Sequence, residues 1–296
     1  MSLLKTSFSL NEVAQSERIA KRMARAGLCS RRDAESWIRA GRVMVNDTLL
    51  GTPAHLVGPD DKIIVDNKPL PYPEATRLWR YYKPRGLVVS HRDEQNRETI
   101  FDRIKNKLPR VMSIGRLDLD SEGIILLTND GGLARHLELP STGWTRKYRV
   151  RIYGRVDEKQ LEALKNGITI DGIHFGSLLA RLDKQMTSNA WLTIAIKEGK
   201  NREIRHVMEY LGYSVSRLIR TSYGPFQLGN MNKDDLQEVK QAVLFEQLGQ
   251  TLEEEKKPTI SVGKQKIAPR KRNSVFEKPR DKNANNRRGK ARRKAR

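Results

Sequence analysis

The chain has 296 residues, long for one domain, and carries 57 Lys+Arg against 35 Asp+Glu, a formal net charge of +22. Such a cationic excess points to a polyanionic partner, nucleic acid first and an anionic membrane second. No apolar run approaches the roughly 18 residues of a membrane span, so no membrane-inserted form is expected. The single Cys29 excludes an internal disulfide framework and a cysteine-rich zinc site. His55, His91, His136, His174 and His206 are scattered, with no pair at metal-ligand spacing. The expectation is a protein of the reduced cytoplasm that binds no metal.

In chain order, residues 1–15 mix Lys5, Asn11 and Glu12 among short apolar pairs and read as a disordered N-terminus, without the apolar block of a secretory signal. Residues 16–70 form a compact first unit. Ile19, Met23 and the Ala26-Gly27-Leu28 step recur at helical spacing, and Gly27 ends the helix. Ser30-Arg31-Arg32-Asp33 is a capping box opening a second helix that buries Ala34, Trp37 and Ile38, and Gly41 stops it. Short strands follow from Val43 and from Lys62, with turns at Asn46-Asp47 and Asp66-Asn67. Pro69, Pro71 and Pro73 remove donors and fix φ, which marks 71–77 as a semi-rigid linker.

Residues 78–250 alternate strand-like and helix-like segments. The expected strands are 78–82, 86–90, 123–128, 147–153 and 191–196; the expected helices are 99–107, 131–138, 157–165, 201–211 and 233–244. These strands are not separated by regular helices, so the fold class is α+β with a mixed or antiparallel sheet. Residues 251–296 read as a basic disordered tail. From Glu253 onward it has 17 Lys+Arg and 5 Asp+Glu, a net +12, with Phe276 as its lone aromatic, too little apolar surface to offset chain entropy.

The first unit concentrates Arg18, Lys21, Arg22, Arg25, Arg31, Arg32, Arg39 and Arg42 within 25 residues, with Arg18, Arg22 and Arg25 on one face of the first helix. Arg31 and Arg32 in the first turn of the second helix oppose its dipole, and a bound phosphate would relieve both charges. Arg22, Arg31, Arg32, Arg39 and Arg42 are therefore the candidate RNA-binding residues; the plain alternative is a solvated basic surface. The stretch RIAKRMARAGLCSRRDAESWIRAGRVMVN resembles the αL-type RNA-binding domain of ribosomal proteins and RNA-modifying enzymes.

The second unit places an acid, Asp118, beside Arg116 and ahead of the apolar run Ile124–Leu127. The segment SIGRLDLDSEGIILLTNDGGLARHL resembles the catalytic motif of the RsuA-like pseudouridine synthase family. WTRKYRVRIYG looks like the family's second motif, with Tyr148 at its tyrosine. EGKNREIRHVMEYLGYSVSRLIRTSYG resembles the third, with Arg205 at its arginine. Its wording is closer to the family's type B synthases, which act on the large ribosomal subunit, than to its small-subunit synthases. YYKPRGLVVSHRD matches the strand that opens the catalytic domain.

The resemblance implies isomerisation of a specific uridine in ribosomal RNA, by the large-subunit likeness in that subunit's RNA, to pseudouridine. The N1–C1′ bond breaks, the base turns and C5 bonds to C1′, which needs neither cofactor nor metal. It does need a carboxylate near the ribose and a site that holds the loose base. Asp118 is expected to be that carboxylate, and Arg205 to pair with it and favour its charged form. Tyr148 is expected to supply a ring for the base and a hydroxyl for proton work, and Arg116 to help extrude the uridine, a step that costs a few kcal/mol. Asp120 and Glu122 are read as structural acids and His206 as a surface or RNA-contact residue. Arg202 and Arg205, three apart, share a helix face. The expected partner is ribosomal RNA or a pre-ribosomal particle, met by a monomer. Two rivals use the same residues: a non-catalytic RNA-binding or ribosome-assembly factor, and a base-releasing nucleosidase.

Overall fold

The computed structural model describes residues 16–249. The expected disordered N-terminus and basic tail, and residue 250 of the expected catalytic domain, lie outside the described residues. No helix among the described residues is long and apolar enough to cross a membrane.

The first unit builds as its sequence dictates. Strand β1 (Glu17–Arg18) runs into helix α1 (Ile19–Arg25), and Gly27 takes the left-handed φ of +76° that ends the helical turn. Ser30 then caps α2 (Arg31–Arg39): its hydroxyl accepts from Asp33 N (3.0 Å), and the Asp33 carboxylate accepts from Ser30 N (3.1 Å). Strands β2 (Val43–Val45), β3 (Thr48–Leu49), β5 (Ile63–Val65) and β6 (Lys68–Pro69) form a four-stranded sheet in the order β3-β2-β5-β6, while β4 (Leu56–Val57) pairs with β1. Asn46-Asp47 and Asp66-Asn67 hold φ of 47° and 63°, and 48° and 62°, the two positive φ values that tight hairpins require. Ile19, Met23, Ala34, Ile38, Val43 and Val65 form the core.

In the second unit one nine-stranded mixed sheet organises everything. Its path is β13 (Leu178–Gln185), β14 (Asn189–Ile196), β10 (Arg146–Tyr153), β15 (Val215–Tyr223), β9 (Glu122–Thr128), β7 (Leu78–Lys83) and β17 (Leu236–Glu238); β8 (Met112–Ile114) pairs with β9, and β16 (Phe226–Gln227) with β15. The strands β11 (Ile168–Ile170) and β12 (Ile173–Phe175) form a separate hairpin. Helices α3 (Ile100–Ile104), α4 (Gly131–Glu138), α5 (Glu158–Ala163), α6 (Glu203–Tyr210) and α7 (Gln241–Gln247) complete the unit. All seven residues of β9 are buried, so the strand reads as a continuous apolar run with one core on each face: Ile125 and Leu127 join Val150 and Leu192, whereas Ile124 and Leu126 join Leu133 and Leu137 of α4.

Three expectations need correction. Residues 86–90 are a loop, touched only by an isolated bridge between Val88 and Thr99. The expected helix 233–244 is strand β17 followed by α7, because Asn232 N donates to the Asp235 carboxylate and Asp234 N to Tyr82 O, which turn the chain onto the edge of β7. Strands β13 and β15 were not expected: Arg181 and Asp183 in one, Arg217 and Arg220 in the other, interrupt the apolar signature of a strand.

The parallel ladder of β9 with β15 sets Gly123 opposite Arg220. Gly123 has φ +112°, and a Cβ there would lie 2.3 Å from Arg220 O and 2.6 Å from Arg220 N. Gly123→Ala therefore combines a disfavoured backbone with a main-chain clash. It should cost at least about 3 kcal/mol of unfolding free energy, read in urea denaturation; a loss under about 1 kcal/mol would show that the two strands can part freely.

Candidate active site

Asp118 sits in the turn that joins β8 to β9, and main-chain contacts fix that turn from several sides. Gly115 turns the chain at φ +70° and its N–H donates to Glu138 Oε1 (2.7 Å). Ser121 N closes the turn on Asp118 O (3.1 Å), and Gly86 N reaches Leu119 O (2.8 Å). From the end of β7, the fully buried Lys83 sends its ammonium to Ser121 O (2.8 Å), Asp118 O (3.0 Å) and Pro84 O (3.1 Å). All three donors of the ammonium are thereby engaged. Burial pulls Lys83 down to about 8, against the nearby charge of Asp118 that opposes the shift. Arg220 holds the far side, with Nε on Ile124 O (2.8 Å), and its guanidinium lies over the Tyr223 ring.

The turn opens onto a cavity of about 460 Å³ lined by Arg116, Asp118, Tyr148, Arg146, Arg202 and Arg220 among others. Tyr148 reaches it because β10 alternates: Arg146, Tyr148, Val150 and Ile152 face inward and their neighbours outward. Arg116 is exposed at the cavity and forms no ion pair among the described residues. Three expected residues, Arg116, Asp118 and Tyr148, therefore meet at one cavity.

Arg205 does not pair with Asp118. Its guanidinium binds the Asp120 carboxylate at 2.9 Å and donates to Val215 O (3.2 Å). Asp120, expected to be a structural acid, is the ion-pair partner that fastens α6 to the turn carrying Asp118. The guanidinium that forms an ion pair with Asp118 is that of Arg202, 3.7 Å from its carboxylate and 3.6 Å from that of Asp120. Arg202 adopts a left-handed φ of 48° at the start of α6. Beneath this loop, burial and the charge of Glu198 push the Glu203 carboxyl up to about 7. Glu122 is structural as expected: it is buried, and Arg217 binds it at 2.7 and 3.0 Å. His206 is exposed and packs edge-on against Phe175.

The first unit sorts its arginines. Arg22 is buried: its Nε meets the Glu17 carboxylate at 2.6 Å, alongside Arg25 (2.9 Å) and Lys21 (3.3 Å). Burial alone would raise the Glu17 carboxyl, but the Arg22 hydrogen bond and the neighbouring charges hold it below the usual range. Arg22 thus holds the module together and is no surface contact. Arg42 lies over the Trp37 ring and binds Asp66 (2.8 Å), and Arg39 sits 3.7 Å from Glu35. Arg31 and Arg32 are exposed and form no ion pair among the described residues. Lys83, Arg146 and Arg220 were missed by sequence reading. For Lys83 the signal was a lysine ending the aromatic run LWRYYK, and for Arg146 its place on the inward side of an alternating strand; Arg220 breaks the apolar pattern of its own strand and carries no such signal.

Two family models match the chain, the S4 domain over residues 17–63 and RNA pseudouridylate synthase over residues 77–210. An uncharacterized RNA pseudouridine synthase of Rickettsia bellii is 45% identical over 223 residues, covering 75% of this chain and 96% of that protein. The ribosomal large subunit pseudouridine synthase B of Salmonella typhi is 38% identical over 220 residues, 72% of this chain and 75% of that one. A crystal structure of a pseudouridylate synthase superposes with a TM-score of 0.55 at 25% identity, covering 78% of this chain and 99% of its own. With its S4 domain followed by the mixed-sheet domain that frames Asp118, the chain belongs to the RNA pseudouridine synthase family, isomerases that convert uridine to pseudouridine.

Proposed function

We propose that the chain converts a uridine of large-subunit ribosomal RNA to pseudouridine with Asp118 as the catalytic carboxylate. The observation that carries this reading is a carboxylate held at a polar cavity by a turn whose main chain is fastened to a buried ammonium. The relative named as a large-subunit enzyme supports the choice of RNA. The flipped nucleotide enters the cavity, and Asp118 acts at its ribose as the N1–C1′ bond breaks. Tyr148 offers its ring to the freed base, which turns until C5 bonds to C1′; C5 loses its proton and N1 gains one. Arg116 takes the place of the extruded base. Arg31, Arg32, Arg39 and Arg42 supply phosphate contacts that dock the RNA element.

Asp118→Asn should retain RNA binding and lose conversion, whereas Asp120→Asn should lose stability first. Asp120 is 36% exposed and Arg205 11%, so their pair falls short of a fully buried one. A double-mutant cycle with Arg205→Ala should give a coupling of about 1–2 kcal/mol. Pseudouridine mapping of ribosomal RNA treated with each variant checks the assignment: turnover by folded Asp118→Asn would move the chemistry elsewhere.

Tyr148→Phe preserves the ring. It should leave RNA affinity within about twofold and lower the conversion rate by about a hundredfold if the hydroxyl carries a proton. Full activity would assign the ring alone.

The pH dependence separates chemistry from folding. Lys83 titrates near 8 in the folded protein against its ordinary 10.5, so between those values the unfolded chain binds the extra proton and this group's contribution to stability rises with pH. The same proton loss takes a donor from the cage and a charge from beside Asp118. Conversion should therefore fall as pH passes about 8, while wild-type stability relative to Lys83→Met climbs from about pH 8 to 10.5, measured by urea unfolding.

A further inference from the structure

The outward face of β10, β14 and β13 has no part in the cavity. On β10, Arg146 and Tyr148 point toward the active site, and Lys147, Arg149, Arg151 and Tyr153 point the other way. The register carries this face across the sheet: Arg149 lies opposite Thr193, and Arg151 opposite Trp191, whose other neighbour is Lys184. Alternate residues of a strand stand about 6.8 Å apart, so the cations form a row rather than a knot.

Their counter-charges are missing. Arg181 on the same face is paired with Asp183 at 3.0 Å, and Arg217 with Glu122. Among the described residues, Lys147, Arg149, Arg151 and Lys184 pair with no carboxylate, and Arg151 Nε makes no hydrogen bond. The Arg149 guanidinium lies 4.5 Å over the Trp191 ring, and Tyr153 at the end of the row is 63% exposed. Unpaired cations in a row, with the half-buried Trp191 ring beneath Arg149 and the exposed Tyr153 ring at the end, match a phosphodiester backbone with a base free to stack. An acidic protein surface would leave the Tyr153 ring unused, and a bilayer would need a broad apolar stripe where this face offers the single exposed Leu179.

We propose that this face binds a second segment of the substrate RNA, outside the stem-loop that carries the target uridine. The two faces of one sheet point in opposite directions, so a short hairpin seated at the cavity cannot also cover this row. A long folded RNA can. The inference rests on the reading of ribosomal RNA as substrate and extends it from the target uridine to a second RNA segment.

The test uses the full chain with Lys147→Gln, Arg149→Gln and Lys184→Gln combined. The probes are a short stem-loop containing the mapped target uridine and a full-length large-subunit ribosomal RNA transcript. The triple variant should convert the stem-loop at the wild-type rate. It should bind the long transcript about tenfold more weakly at low salt, with a log–log salt slope shallower by about two to three. The charge-conserving set Lys147→Arg, Arg149→Lys and Lys184→Arg should restore binding. Equal weakening on both RNAs, or none on either, overturns the proposal; retained RNA binding with lost adsorption to anionic vesicles would do the same and assign the face to a membrane. If the wild-type protein modifies no ribosomal RNA, the functional reading fails separately, because affinity for the long transcript is read without turnover.

Discussion

Lys83 carries its ammonium from the end of a central strand into the interior and donates to the main-chain oxygens of Pro84, Asp118 and Ser121. Placing a charge there costs desolvation, visible in its lowered pKa. Three carbonyl dipoles and the carboxylates of Asp118, Asp120 and Glu122 offset that cost from the side of the turn. Anything that straightened the turn would leave a buried cation with unmet donors, so the turn is fixed by the penalty for leaving it. The close parallel contact of β9 with β15 at Gly123 serves the same end, since it brings Arg220 near enough to reach Ile124 O. Rigidity of this kind suits a site that must keep hold of a base after its bond to the sugar has broken.

The net charge of +22 is not presented evenly. In the S4 domain, Lys21, Arg22 and Arg25 converge on one buried glutamate, and in the catalytic domain Arg217 and Arg205 each hold an acid. These cations maintain structure. Among the described arginines that form no ion pair, Arg31 and Arg32 stand at the helix start of the S4 domain, Arg116 at the cavity, and Arg149 and Arg151 on the outer sheet face, the three places where the proposed RNA contacts fall. An average over composition predicts nucleic-acid binding but cannot separate these groups, because the separation depends on which acids fold against which cations.

Much of the site was legible in the sequence because the determinants are local. Capping boxes, paired positive-φ turns and the turn before an apolar strand are all written within a few residues, and Arg116, Asp118 and Tyr148 meet as their motifs imply. What failed was longer in range. Whether Arg205 meets Asp118 or Asp120 depends on the seating of α6 against a turn 85 residues away in sequence, and a two-residue spacing cannot decide it. The same holds for β15, whose arginines look unfit for a buried strand until their partners, Glu122 and the carbonyl of Ile124, arrive from β9. Polar residues read as surface from sequence become core once a distant element satisfies them.

The division of labour between the two aspartates has a chemical logic. A carboxylate oxygen drawn into a close ion pair with a guanidinium serves fastening more than attack. Asp120 is in that position with Arg205 at 2.9 Å. Asp118 has instead Arg202 at 3.7 Å, near enough for electrostatic attraction and too far for a hydrogen bond. Its main-chain oxygen does the anchoring, through Lys83, while its carboxylate stays open to the cavity. The two acids, two residues apart, thus differ in how they are held: Asp120 by Arg205 through both its carboxylate and its carbonyl, Asp118 chiefly through the carbonyl that Lys83 binds. The second arrangement leaves a carboxylate fixed through its main chain and open to the cavity, which is what the proposed chemistry requires.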